Sequence, residues 1–331
     1  MVWGAVLSAG AAFGATVFAA RRMLPWFQKR GLTKTPIVQQ DGALAPGETA
    51  PVLGGLPMAL GLLAGGACGL IAELLGGSSP AALTAVSSAR VVLGLLLGAV
   101  MAAAGLLSDY RESKGLAGLS RPATLVLWAA AGAAYLLGLI LCGDRSTLFS
   151  WPFLGQADLG AFYHPLCLLL ILGGAAGGEA LAETDGAAAT AGLGAGMALA
   201  LAAGLLGSSC GVVLGFSLAG CALGILRGSF PPVKLRVGKG GGMLLGGAAA
   251  AAALGIGVPA LFIPAALPWL AEGLFALLRV CRFALTGRDS GSGSLGGWFT
   301  RRGLSPKAVS AVYMGLSAAG ILLTAVSALK L

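Results

Sequence analysis

The chain has 331 residues, 57% of them hydrophobic and 10% charged, with a net charge of +9. About a quarter of the residues of a soluble domain are charged, so this composition excludes a soluble globular fold, a disordered chain and a secreted disulfide scaffold. The apolar runs are continuous rather than alternating, which excludes a membrane β-barrel and leaves an all-α polytopic membrane protein.

The first apolar run, residues 2–20, is followed by Arg21 and Arg22 rather than preceded by basic residues. That order is the reverse of a signal peptide and no small-residue cleavage site follows, so the run reads as a membrane helix with its N-terminus outside. Further helices are predicted at about 52–76, 83–107, 123–143, 160–178, 187–207, 209–227, 242–257, 259–284 and 308–328, ten in all. Both termini then lie outside. The inward loops fall at about 21–51, 108–122, 178–186, 228–242 and 285–307, and the whole chain reads as one integral membrane domain. Those loops and the helix ends that border them, where Arg227, Arg279 and Arg282 lie, hold eighteen of the 21 Lys and Arg residues, leaving only Arg90, Arg145 and Lys330 elsewhere. The asymmetry follows the positive-inside rule, so the basic balance reflects topology and anionic lipid and implies no nucleic-acid partner.

Six scattered cysteines (68, 142, 167, 210, 221 and 281) include no C-x-x-C pair and read as small apolar filler. The single histidine, His164, precedes Pro165 at the start of an apolar run and makes no metal site by itself. The abundant Gly and Ala residues suit close helix packing in lipid, and with it a homodimer or heterodimer through small-residue faces.

Five landmarks then occur in order. Pro51-Val52-Leu53-Gly54-Gly55 enters the second predicted helix. Asp109-Tyr110-Arg111, with Lys114-Gly115-Leu116, follows the third. Thr184-Asp185-Gly186 lies between the fifth and sixth, and Pro232 to Gly242, containing Lys234, Gly238 and Lys239, precedes the eighth. The fifth runs from Glu272-x-Leu274 through Val280 and Phe283 to Thr286-Gly287-Arg288. Together they resemble the polyprenyl-phosphate N-acetylhexosamine-1-phosphate transferase superfamily, and within it the phospho-N-acetylmuramoyl-pentapeptide transferases. The resembled motifs are P-T-M-G-G, D-D-Y-x-K with K-G-L, N-L-T-D-G-L-D-G, P-A-K-V-F-M-G-D-T-G-S, and E-T-L with its downstream T-G-K.

The resemblance implies ten helices with outward termini in the bacterial cytoplasmic membrane, undecaprenyl phosphate as lipid substrate and a Mg²⁺-dependent site on the cytoplasmic side. It carries Asp109 and Asp185 over as vestigial catalytic positions, and Pro51, Gly54, Gly55, Lys114, Glu179, Lys234 and Gly238 as substrate-binding ones. The chain departs from the pattern where the chemistry lies. Ser108 replaces the first of the paired aspartates, Ala188 a later aspartate, and Lys239 the aspartate of G-D-T-G-S. Gly296-Gly297-Trp298 stands where the family carries three histidines. An ammonium in place of a carboxylate changes the local charge by two and offers Mg²⁺ no oxygen ligand.

The expected function is accordingly that of a catalytically silent relative from the lipid I pathway, without a cofactor and acting as a partner subunit. The alternative is an active phosphoglycosyl transferase with a metal site rebuilt from Asp109, Asp185, Glu179 and Glu183. A solute transporter has only the helix count in its favour. By residue type alone, Asp109 and Asp185 read as solvated helix-end charges, Glu179 and Glu183 as a solvated face, and the glycines from 238 to 242 as a flexible turn. Lys239 is expected to pair with Asp109 or Asp185. Glu272, an acid inside an apolar run, calls for a partner, with Arg279 two turns on as the candidate.

Overall fold

The computed structural model describes residues 2–34, 50–75, 85–144, 146–151, 155–286 and 294–331. The chain folds into long helices: α1 Val2–Lys29, α2 Gly55–Leu75, α3 Ala85–Ser113, α4 Arg121–Leu141, α5 Tyr163–Leu181, α6 Ala187–Leu205, α7 Ser209–Ser229 and α8 Gly238–Ile256. They are followed by α9 Phe262–Ala265, α10 Leu267–Thr286, α11 Leu295–Arg301 and α12 Pro306–Leu329. Two short antiparallel pairs complete it, β1 Thr33–Lys34 with β2 Ala50–Pro51, and β3 Leu148–Trp151 with β4 Gly155–Asp158. Among the described residues nine helices are long and apolar enough to cross a membrane, and α9 with α10 makes a tenth if the two arms form one span. The chain is an all-α, multi-pass membrane protein.

The core is built on α8, whose residues from Gly240 to Ile256 are almost entirely buried although nearly all are Gly, Ala or Leu. Hydrocarbon lipid gives apolar helices no reason to leave it, so helix association rests on backbone approach and dispersion. Residues without a Cβ permit that approach. A Cβ on Gly246 would stand 1.8 Å from the Gly174 carbonyl oxygen, and one on Gly178 2.0 Å from that of Gly242. The α5–α8 crossing therefore excludes alanine at these points. Lipid-facing positions of the outer helices carry Leu, Val and Phe instead, as at Phe18, Leu96 and Leu322.

Several boundaries differ from the sequence expectation. The first helix continues through Pro25 to Lys29, and the third continues to Ser113, so Ser108 and Asp109 lie on a helix rather than in a loop. The span expected at 259–284 is broken and bent by 76° between its two arms. Pro264 and Pro268 lie on either side of the break, and each lacks the backbone donor a continuous helix needs. The glycine-rich segment from Gly238 is the first turn of α8 and not a flexible turn. The expected inward loop at 285–307 contains α11, capped by Ser294, whose hydroxyl accepts from Gly297 N at 3.1 Å. The β3–β4 hairpin between α4 and α5 had no signal in the hydropathy.

Candidate functional site

The motif residues meet at one end of the bundle, around the N-terminus of α8. Residue Val237 offers α8 no capping side chain, so the helix begins with unsatisfied N–H groups. Asp109, on the last turns of α3, supplies the acceptor from outside, its Oδ2 taking the Gly240 N–H at 3.0 Å. A carboxylate there also meets the positive end of the helix dipole. Asp109 is 1% exposed, so it is a buried cap and not the solvated charge expected from its residue type. Gly238 just before it has φ +69°, and a Cβ there would stand 2.0 Å from the Val52 carbonyl oxygen and 2.6 Å from Asp109 Oδ2. Both the backbone conformation and the space require glycine.

The next residue, Lys239, points into an acidic niche. Its Nζ lies 2.7 Å from Glu112 Oε1 and 3.7 Å from Glu179 Oε1. The expectation that this ammonium meets a carboxylate holds, but its partners are Glu112 and Glu179 rather than Asp109 or Asp185. Ser108 Oγ donates to the same Glu112 oxygen at 3.0 Å and accepts from Leu119 N at 3.3 Å, tying the α3–α4 turn to the niche. Glu179 reaches the exposed guanidinium of Arg121 at 4.0 Å, a contact that solvent screening makes weak.

The segment preceding α8 is held by a second charge pair. Arg236 Nε donates to Asp185 Oδ1 at 2.9 Å, and its Nη2 to the Glu183 carbonyl at 3.1 Å. Its backbone N donates to the Pro51 carbonyl at 2.8 Å and its carbonyl accepts from Gly54 N at 3.0 Å. Gly55 packs so closely that a Cβ would lie 2.4 Å from Gly241 N. Pro51, Gly54 and Gly55 thus form a backbone clamp on the α8 entrance. Lys114 lies elsewhere, donating to the Arg30 carbonyl at 3.0 Å, and Lys234 is exposed.

A groove of about 920 Å³ opens beside this cluster, between α4, α5 and the bent α9–α10 pair. Its walls are apolar, with Leu125, Trp128, Leu169 and Trp269 among them, and its polar end gathers Arg121, Glu179, Glu183, Glu272 and Arg279. The two glutamates expected on a solvated face border this groove, Glu183 exposed and Glu179 partly buried. Desolvation raises the Glu183 carboxyl above its ordinary range, opposed by the charge of Lys239 and reinforced by that of Glu179. Glu272 is 2% exposed and accepts from the Tyr313 hydroxyl and from Leu295 N. Its partners come from α12 and α11, where the sequence had pointed to Arg279 on its own helix.

Sequence reasoning missed Glu112, Arg236 and the groove. The spacing of Glu112, one helical turn beyond Ser108, was a usable signal once α3 was known to continue that far. The groove had none, because the bend between α9 and α10 creates it.

The donor set does not fit Mg²⁺. The ion needs compact octahedral oxygen coordination, whereas Lys239 stands between Glu112 and Glu179, Asp109 is engaged by the α8 N-terminus, and Asp185 by Arg236. Among the described residues no three His, Cys, Asp or Glu side chains come close enough together to hold a metal ion. The six cysteines are free, and His164 packs edge-on to Tyr163.

Comparison with known proteins finds no matching family model. The chain is similar to the phospho-N-acetylmuramoyl-pentapeptide-transferase of Heliobacterium modesticaldum, 34% identical over 154 residues, covering 46% of this chain and 47% of that protein. With the protein of the same name from Moorella thermoacetica the identity is 33% over 183 residues, covering 51% and 56%. With that of Synechococcus sp. it is 31% over 188 residues, covering 49% and 52%. The chain spans about half the length of the curated relatives it matches, and over that half its homologues are phospho-N-acetylmuramoyl-pentapeptide transferases.

Proposed function

We propose that this chain is a relative of the phospho-N-acetylmuramoyl-pentapeptide transferases that keeps their membrane scaffold and a lipid-binding groove but does not transfer the phospho-sugar. It acts in the lipid I pathway of the bacterial cytoplasmic membrane as a non-catalytic partner subunit, with its basic end inward. The observation that carries this reading is the ion pair of Lys239 with Glu112, at the position where the resemblance has a metal-binding aspartate. A protein-borne cation supplies positive charge to the niche and offsets one of its two carboxylates. Phosphoryl transfer depends on charge stabilisation of the moving group, usually by divalent ions, and an ammonium already bound to carboxylates offers little of it.

The groove supports the lipid half of the reading. Its apolar walls suit a polyprenyl chain, and Arg121 and Arg279 at its polar end suit a phosphate head. A homodimer, or a heterodimer with a competent relative, forms through small-residue helix faces.

The test is a reconstituted assay with nucleotide-activated MurNAc-pentapeptide, undecaprenyl phosphate and Mg²⁺. The expected result is no lipid-linked product above a protein-free control, with undecaprenyl phosphate retained by the protein in native mass spectrometry. Magnesium-dependent product from the isolated chain would overturn the proposal and favour the rebuilt-site enzyme.

A further inference from the structure

The polar end of the groove is not uniformly basic. Arg121 and Arg279 stand there beside Glu179, Glu183 and Glu272. Two of these acids are engaged by the protein itself: Glu272 accepts from the Tyr313 hydroxyl and from Leu295 N, and Glu179 lies 3.7 Å from Lys239 Nζ and 4.0 Å from Arg121. Glu183, just past the end of α5, is exposed, and among the described residues its carboxylate has no hydrogen bond or ion pair. A phosphate drawn in by the two guanidiniums therefore arrives next to a carboxylate, and like charges so placed repel. A headgroup that carries its own cation removes that conflict, because its cationic end meets Glu183 while its phosphate meets the arginines.

The walls hold a second observation. Trp128 on α4 and Trp269 on α10 both line the groove, and each is 3% exposed. Neither indole N–H has an acceptor among the described residues. Indole nitrogen only donates, and buried donors in folded proteins are rarely left unmet. A hydrocarbon polyprenyl chain offers these two groups nothing. The acyl esters of a glycerophospholipid offer two carbonyl oxygens just below the phosphate. Trp128 stands seven residues into the membrane from Arg121, about 10 Å along the axis of α4, so a lipid held by its phosphate at Arg121 brings its esters toward that ring. Tryptophan at a membrane interface is commonly placed for such a contact, with an apolar body in the acyl region and a polar tip at the headgroups.

We propose that the groove is a binding site for a diacyl aminophospholipid of the surrounding bilayer, with the phosphate at Arg121 and Arg279, the ammonium on Glu183 and the ester carbonyls facing Trp128 and Trp269. The proposal rests on the reading above that the groove holds a lipid phosphate, and goes further in naming the rest of the molecule. A polyprenyl phosphate in the same groove competes with the phospholipid for it.

The experiment uses the full chain extracted from nanodiscs of equimolar phosphatidylethanolamine and phosphatidylglycerol with identical acyl chains, and counts retained lipids by native mass spectrometry. Wild type is expected to retain the ethanolamine lipid at least fivefold over the glycerol lipid. Glu183→Arg should invert that preference. Gly173→Trp should abolish retention of both, since Gly173 lines the groove and a Cβ there has nothing within 4 Å, so the ring fills the groove without disturbing the packing. Replacing the ester lipid with its dialkyl ether analogue should lower retention at least threefold in wild type and not at all in the Trp128→Phe, Trp269→Phe double variant. Equal retention of the two headgroups by wild type, a preference unchanged in Glu183→Arg, retention that survives Gly173→Trp, or equal retention of ester and ether lipids would each overturn the proposal. Undecaprenyl phosphate added to the nanodiscs separates the two readings. If it is retained and displaced by Gly173→Trp while the phospholipids show no preference, the aminophospholipid falls and the lipid reading above stands. If the ethanolamine lipid is preferred and undecaprenyl phosphate is not retained, the polyprenyl part of that reading falls alone.

Discussion

Replacing Lys239 with methionine keeps the length of the side chain and removes its charge, leaving Glu112 and Glu179 facing each other across the vacated position. The Lys239 side chain is 27% exposed, that of Glu112 24% and that of Glu179 14%, so the niche lies between a surface pair and a buried one. Exposed ion pairs contribute about 0–1 kcal/mol, and breaking a fully buried one costs about 3–5 kcal/mol. At 2.7 Å the attraction to Glu112 is about 6 kcal/mol for an effective dielectric near 20, most of it offset by desolvation. The intermediate burial therefore gives a loss of about 1–3 kcal/mol for Lys239→Met. Because part of that loss is repulsion left behind, Glu112→Gln in the same background should restore about 1–2 kcal/mol relative to additivity. The assay is a double-mutant cycle on equilibrium unfolding of the detergent-solubilised protein. Additivity of the two substitutions within about 0.5 kcal/mol would refute the assignment of Lys239 as the resident cation of the niche.

Gly238→Ala should lose about 1–2 kcal/mol from its left-handed backbone alone, and more from the contact with the Val52 carbonyl; the unfolding midpoint measures it. Asp109→Ala removes the cap of α8 and should cost about 1–2 kcal/mol, with faster amide exchange confined to the first turn of α8. Ser108→Asp combined with Lys239→Asp should yield no transferase activity, since the loop bearing the family's histidines reads Gly296-Gly297-Trp298 here. Cysteines introduced near residues 120 and 304 should react with an impermeant reagent only from the cytoplasmic side, and labelling only from outside would reverse the topology.

The membrane architecture was legible because hydropathy is a property of windows of residues, and lipid leaves few alternatives to a helix once a run is long enough. Among the described residues nine of the ten windows correspond to spanning helices and the tenth to the bent α9–α10 pair, with further errors where a helix continued past the apolar run. At Ser108 and Asp109 the hydropathy falls while the backbone stays helical, because the polar side chains are satisfied by Leu119, Glu112 and the α8 N-terminus. Such satisfaction depends on residues far apart in the chain and leaves no local trace. The partner of Lys239 was legible in kind but not in identity. Charge arithmetic requires a carboxylate near a half-buried ammonium, whereas the choice of Glu112 over Asp109 is set by which acid the helix end had already engaged.

That competition bears on the residues that match the resembled motifs. Asp109 and Gly238 match positions in motifs that the resemblance associates with catalysis, yet each has a duty in this fold that is independent of any metal. Asp109 satisfies the α8 N-terminus, and Gly238 lets Val52 and Asp109 approach it. Lys239 has no such duty to the backbone: its side chain leaves the helix and meets only the niche. The Lys239 ammonium offsets one of the two carboxylate charges of Glu112 and Glu179 without a metal. Retained residues in these motifs are therefore poor witnesses to activity, and the informative positions are those with no structural duty.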